Sequence, residues 1–172
     1  ALIRAMAITP AWGGLPGMRP GFAVVAPDRG CGKTALTGAI AQIYGGIEIE
    51  PDGGNEDRIV SRLLSPNALT QRTVRIDNIK RCVSSGTLES LITGHTISGH
   101  RLYHGDASRP NYLTWLLTGN TMRLSRDISE RCFIIRLARP TPRPSWNGDL
   151  DEFIEANRTR IVADAIQELK AP

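Results

Sequence analysis

A chain of 172 residues with 41% hydrophobic and 22% charged content has the make-up of one globular domain that buries its own core, which excludes a disordered, fibrous or stapled miniature protein. The net charge of +4 is a mild excess carried by arginine, since only Lys33, Lys80 and Lys170 are lysines; arginine suits phosphate contacts, but an arginine-rich genome gives the same count. No apolar run approaches the roughly 20 residues that span a membrane, the short opening ALIRAMAIT lacks a cleavage site, and Cys31, Cys82 and Cys132 are too scattered for a disulfide framework or a zinc site and fit a reducing cytosol.

The first twenty residues read as the end of a helix and then a Gly/Pro-rich approach from Trp12 to Pro20. The start without Met, and ends inside apparent helices, point to a piece of a longer protein. Gly21 to Ala26 (GFAVVA) suits a buried parallel strand. Lys33 to Tyr44 repeats apolar residues at helical spacing until Gly45-Gly46 stops it. Ile47 to Ile49 is a second short strand. Asn55 to Leu64, with a capping residue and acids in its first turn, is a helix.

Thr73 to Ile76 forms a third strand ending on Asp77, and Thr87 to Ile92 is helical. Ile97 to Asn111 has the pattern of a hairpin turning at His104-Gly105-Asp106. Tyr112 to Thr118 is the next buried strand, Ile128 to Arg131 a helical turn, and Cys132 to Leu137 a fifth strand. After the prolines at 140–144, Leu150 to Leu169 is amphipathic, with Phe153, Ile154, Ile161, Val162, Ala165, Ile166 and Leu169 on its apolar side. Strands alternating with helices predict a three-layer α/β sandwich around a mostly parallel sheet. The expected division is an entry segment (1–20), a nucleotide-binding core (21–139), and a Pro-rich linker with a C-terminal helix (140–172).

The chemistry starts at PDRGCGKT, between the first strand and the first long helix. A loop there turns backbone N–H groups inward and makes a nest for anionic oxygens. The cradle runs through Pro27, Asp28, Arg29, Gly30, Cys31, Gly32, Lys33, Thr34 and Ala35. Gly30 and Gly32 let backbone approach the phosphates, Lys33 brings a charge to the β and γ oxygens, and the Thr34 hydroxyl can ligate Mg²⁺. The usual first glycine is Pro27, which stiffens the entry and has no N–H.

VRIDNIK ends a strand on Asp77, the natural second Mg²⁺ partner, although an Asp that merely starts a turn has the same pattern. Asn78 follows where many ATPases carry a glutamate. An amide orients water but cannot take its proton, so Glu89 is the nearest alternative base or hydrolysis is slow. LLTGN ends another strand on Asn120, which should face the γ-phosphate side. Arg126 and Arg131 stand just before the fifth strand. Either can serve a neighbouring subunit's phosphates, and either can equally be half of a surface salt bridge.

In this order the set resembles the AAA+ ATPases, with Walker A, Walker B, sensor 1 and arginine finger. RPGFAVVAPDRGCGKTAL, RIDNIKRCVSSGTLESLITG and LLTGNTMRLSRDISERCFIIRL are similar to the ATPase domains of phage, plasmid and integrative-element primase–helicases, relatives of superfamily 3 and MCM-type helicases. The final NRTRIVADAIQEL is similar to the helix that follows that core. The resemblance implies a P-loop NTPase fold with a five-stranded parallel sheet flanked by helices, ATP and Mg²⁺ as cofactors, and a hexameric ring on single-stranded or forked DNA. It implies Lys33 and Thr34 for phosphates and metal, Asp77 for Mg²⁺, Asn120 as sensor, and Arg131, or else Arg126, as the finger in trans. It also implies that the hairpin enters the pore, where Arg101, Tyr103, His104 and Arg109 supply phosphate contacts and a stacking ring. For the histidines there (His95, His100, His104), a metal site and a plain solvated hairpin are the alternatives. The rival to a motor is a switch module that binds ATP with slow or no hydrolysis. A small-molecule P-loop kinase lacks an evident lid.

Overall fold

Five short runs of β-branched and large apolar residues pair side by side, and the apolar faces of the helices Leu2–Ile8, Lys33–Tyr44 and Trp146–Lys170 pack on one side of the sheet those runs form. The computed structural model describes residues 1–51, 56–80, 82–101, 105–138 and 146–170. In chain order the elements are α1 (Leu2–Ile8), β1 (Gly21–Val25), α2 (Lys33–Tyr44), β2 (Gly46–Ile49), α3 (Glu56–Leu63), β3 (Thr73–Ile76), β4 (Cys82–Val83) and α4 (Gly86–Thr93). There follow β5 (Thr96–Arg101), β6 (Gly105–Pro110), β7 (Thr114–Gly119), β8 (Arg123–Leu124), α5 (Arg126–Ser129), β9 (Cys132–Arg136) and α6 (Trp146–Lys170).

The main sheet has the order β2-β3-β7-β1-β9 and every pairing in it is parallel. β7 lies inside the sheet and all six of its residues are buried, as a strand covered on both faces requires. Alternate residues serve opposite layers. Ala23, Val74, Ile76, Trp115 and Leu117 pack with Leu63, Leu91, Ile92 and Ile128 on one face. Phe22, Val24, Leu116 and Ile135 pack with Met6, Ile40, Ile43 and Ile154 from α1, α2 and α6 on the other. The chain is therefore an α/β protein with a five-stranded parallel sheet flanked by helices. β1 sits between β7 and β9, and the chain leaves it for β2 at the far edge. Ligands of open α/β sheets bind at such a switch point, outside the carboxyl ends of the strands.

The Gly/Pro-rich approach is held down by a buried cation. The Arg19 guanidinium lies between the rings of Trp12 and Tyr112, 4.8 and 5.2 Å from their centroids, and donates to the carbonyls of Trp12, Leu15 and Gly17. Burial pushes its pKa down, and the charge of Arg72 pushes it the same way. Tyr112 thus serves this stack; β7 starts two residues later than the sequence implied.

The Lys33–Tyr44 helix and the Thr73–Ile76 strand have the bounds read from the sequence. Three expectations need correction, and one element went unread. Arg101 pairs with Gly105 and His100 with Asp106, so Gly105 and Asp106 lie in β6 rather than in a turn. The short helix before β9 starts at Arg126, capped by Ser125, and stops before Arg131. Phe153 and Ile166 of α6 are 57% and 37% exposed, because the helix seats Ile154 and Ala165 instead. The two-residue ladder β4–β8 had no periodicity to betray it. The prolines at 140–144 and Asn55 lie outside the described residues.

Candidate functional site

Residues 26–32 carry the chain from β1 into α2. Gly30 and Gly32 have φ of +76° and +83°, the left-handed region where a Cβ is costly. No side chain caps α2, so its first N–H groups, at the positive end of the helix dipole, face the loop. Pro27, Asp28, Arg29 and Gly30 are exposed, whereas the Cys31 side chain is buried and can offer a ligand only its backbone. Lys33 is 9% exposed and folds back under the loop, its Nζ donating to the Asp28 carbonyl at 3.1 Å. Ala35 lies in the first turn of α2, beside a cavity of about 470 Å³ that also touches Thr34, Gly38 and Arg75.

Asp77, just past β3, is the most heavily engaged carboxylate here. The Thr34 hydroxyl lies 3.1 Å from each of its oxygens. The Thr118 hydroxyl of β7 donates to Asp77 Oδ1 and accepts the Asn78 N–H at 3.0 Å. Arg75 bonds Glu48 at 2.8 Å and stands 3.9 Å from Asp77 Oδ2, its guanidinium crossing α2 where Gly38 leaves room. β3 and β7 are adjacent strands, which is why residues some forty positions apart share one hydrogen-bond set. Thr34 and Asp77 are hard oxygen donors of the kind Mg²⁺ takes, and the space before Gly30 is open, so the donor set fits a Mg²⁺–nucleotide.

Asn78 is exposed with φ of +60°, a conformation asparagine tolerates better than most residues. Glu89 accepts from Ser125 at 3.2 Å at the contact of α4 with α5, and no hydrogen bond or ion pair among the described residues joins it to Asp77 or the loop. Asn120 directly follows β7 and, with Pro27 and Arg136, lines a cavity of about 420 Å³ beside the loop entry.

Arg131 lies at the other edge of the sheet. Its carbonyl accepts from Gly21 N at the start of β1, and its guanidinium donates to the Asp127 carbonyl at 2.6 Å. β1 has five residues, so roughly 13 Å of strand separates Arg131 from the loop of its own chain. Arg126 is exposed and paired with Glu130 at 3.0 Å.

In the hairpin, Arg109 is withdrawn as a DNA contact. Its guanidinium is buried and donates to the carbonyls of Leu63 (3.1 Å) and Ala68 (2.6 Å), tying β6 to the end of α3. Burial pushes its pKa down, with Arg72 adding to the shift. Tyr103, His104 and the Arg101 side chain lie outside the described residues. His100 pairs with Asp106 across the strands at 3.3 Å, a carboxylate that spacing along the chain did not reveal. No group of three or more His, Cys, Asp and Glu side chains gathers among the described residues.

Sequence reasoning passed over Thr118, Arg75 and Arg136. A polar residue inside an apolar strand was a usable signal for Thr118, since buried hydroxyls have partners. For the two arginines nothing short of the strand order would have served.

No family model matches the sequence, and no curated protein matches it. Among solved structures, the chain is similar to the NrS-1 C-terminal region in an apo form, with a TM-score of 0.61 and 14% identity over 96% of this chain and 40% of that one. It also aligns with JCV Helicase in a crystal structure with a bound small molecule, at a TM-score of 0.47 and 14% identity over 94% of this chain and 52% of that one. The chain thus spans about half or less of either protein, and no described helix is long and apolar enough to cross a membrane. What it shares with the NrS-1 region is a fold.

Proposed function

We propose that this chain is the ATP-dependent motor domain of a mobile-element replication protein, a DNA helicase or translocase that hydrolyses ATP at the subunit interfaces of a hexameric ring. One observation carries the reading: Thr34 and Asp77 meet at 3.1 Å beside a Gly-rich loop, at the carboxyl edge of a parallel sheet. The resemblance of the ordered motifs supplies the DNA and the ring. In this reading the loop N–H groups and Lys33 bind the β- and γ-phosphates, and Thr34 and Asp77 hold Mg²⁺. The metal, when bound, neutralises charge that develops on the phosphate oxygens. Asn78 and Asn120 orient water and the terminal phosphate. Arg131, too far to serve its own loop, fits a finger given to a neighbour, with Arg126 second. Arg101, Tyr103 and His104 are the proposed contacts to single-stranded or forked DNA.

A switch that binds ATP and turns it over slowly is the second reading, and Asn78 favours it, because an amide accepts no proton from water. ATPase rates of the oligomer-competent protein, with and without single-stranded DNA, separate the two. DNA-stimulated hydrolysis abolished by Lys33→Ala supports the motor. ATP binding with near-zero hydrolysis, and a large gain in Asn78→Glu, supports the switch and overturns the motor.

A further inference from the structure

The main sheet carries a cation to the loop entry that the site as described leaves unused. β9 runs beside β1 to its last residue: Arg136 is the register partner of Val25, and Leu137 N donates to the Val25 carbonyl at 2.8 Å. Adjacent strands lie about 5 Å apart, so Arg136 leaves the sheet next to the point where the chain enters the loop. Its side chain hangs on the same face as Val25 and Ile134, and with them lines the cavity of about 420 Å³ whose other wall is Pro27 and Asn120. Arg4, Arg126 and Arg160, exposed elsewhere, each have a carboxylate partner. Arg136 is exposed and, among the described residues, its guanidinium has no hydrogen bond or ion pair.

Pro27 gives the cradle no N–H where a glycine would give one. A guanidinium carries five donors in a planar fork that matches phosphate oxygens. We propose that Arg136 is a phosphate-binding residue of this same chain's site, contacting the terminal phosphate of a nucleoside triphosphate from the side of Pro27 and Asn120. The proposal rests on the nucleotide reading above and adds to it a specificity: triphosphate is told from diphosphate by a cation on β9.

The test is calorimetric titration of the purified protein with MgATP and with MgADP, for wild type, Lys33→Ala, Arg136→Ala and Arg136→Lys. Arg136→Ala should weaken ATP roughly 10- to 100-fold, the worth of a charge-assisted hydrogen bond, and ADP by less than about threefold. Arg136→Lys should recover part of the loss, keeping charge without the fork. Thermal unfolding should be unchanged in both, because among the described residues the guanidinium has no partner to lose. Unaltered ATP affinity in Arg136→Ala, or equal losses for ATP and ADP, overturns the proposal while the nucleotide site stands. Failure of wild type to bind either nucleotide overturns both.

Discussion

Thr118 makes Asp77 and Asn78 a single unit, because one hydroxyl donates to the carboxylate and accepts the next residue's N–H. Thr118→Val keeps the shape and removes both bonds. It should cost about 1–3 kcal/mol in urea unfolding, since it leaves the Asn78 N–H without its partner. With its orienting donor gone, Asp77 should also hold Mg²⁺ less well, so that nucleotide binding needs roughly 10- to 100-fold more magnesium. Thr118→Ser should restore both; a magnesium titration that does not move would remove Thr118 from the site. Asn78 gains a second explanation at this scale. Read along the chain it is a weakened catalytic position, but its φ of +60° also selects for asparagine on backbone grounds alone. Dihedral angles of that kind leave no trace in residue spacing, which is why the sequence spoke for only one of the two causes.

Elements were legible in proportion to how strongly their own residues announce them. α2 is bracketed by glycines and β7 is an unbroken apolar run, and both stood out. The hairpin was also recognised, but Arg109 was grouped with Arg101, Tyr103 and His104 as a DNA contact. Antiparallel strands alternate their sides, and Arg109 is on the side that packs toward α3. An arginine there is a structural clamp on two carbonyls. Arg109→Ala should destabilise the protein by about 2–3 kcal/mol, because buried bonds to a charged group are lost. Single-stranded DNA affinity per folded molecule should stay as it was, measured by anisotropy at a temperature where the variant is folded. A loss of DNA binding with intact stability would return Arg109 to the interface.

For the whole molecule, strand order decides what the motifs can do together. Lys33, Thr34, Asp77 and Asn120 were legible as a set because each follows a strand, and all five sheet strands point the same way. Arg131 precedes a strand and so falls at the opposite edge. If it serves a neighbour's phosphates, Arg131→Ala should bind ATP normally as an isolated chain and lose roughly 10³-fold or more of hydrolysis in the assembled protein. Mixing Arg131→Ala with Lys33→Ala subunits should recover activity, since some interfaces then join an intact loop to an intact arginine. No recovery in assembled mixtures would count against a finger in trans. Arg75 and Arg136 escaped sequence reasoning for the converse reason: β2 meets β3, and β9 meets β1, only once the sheet is ordered.

The arginine of α6 that holds the last turn of α2 has a mechanical meaning. Arg158 of α6 donates to the Ile43 carbonyl at 2.8 Å, while the other end of α2 is Lys33 under the loop. Twelve helical residues make a stiff rod about 18 Å long, and a rod cannot shift at one end alone. If phosphates bind at Lys33 as proposed, an axial push on this rod would reach the Arg158 bond as tension or release, which would make the grip on α6 a strain gauge for the loop. Slower amide exchange around Ile43 and Arg158 on adding nucleotide, lost in Arg158→Ala, would read that gauge directly.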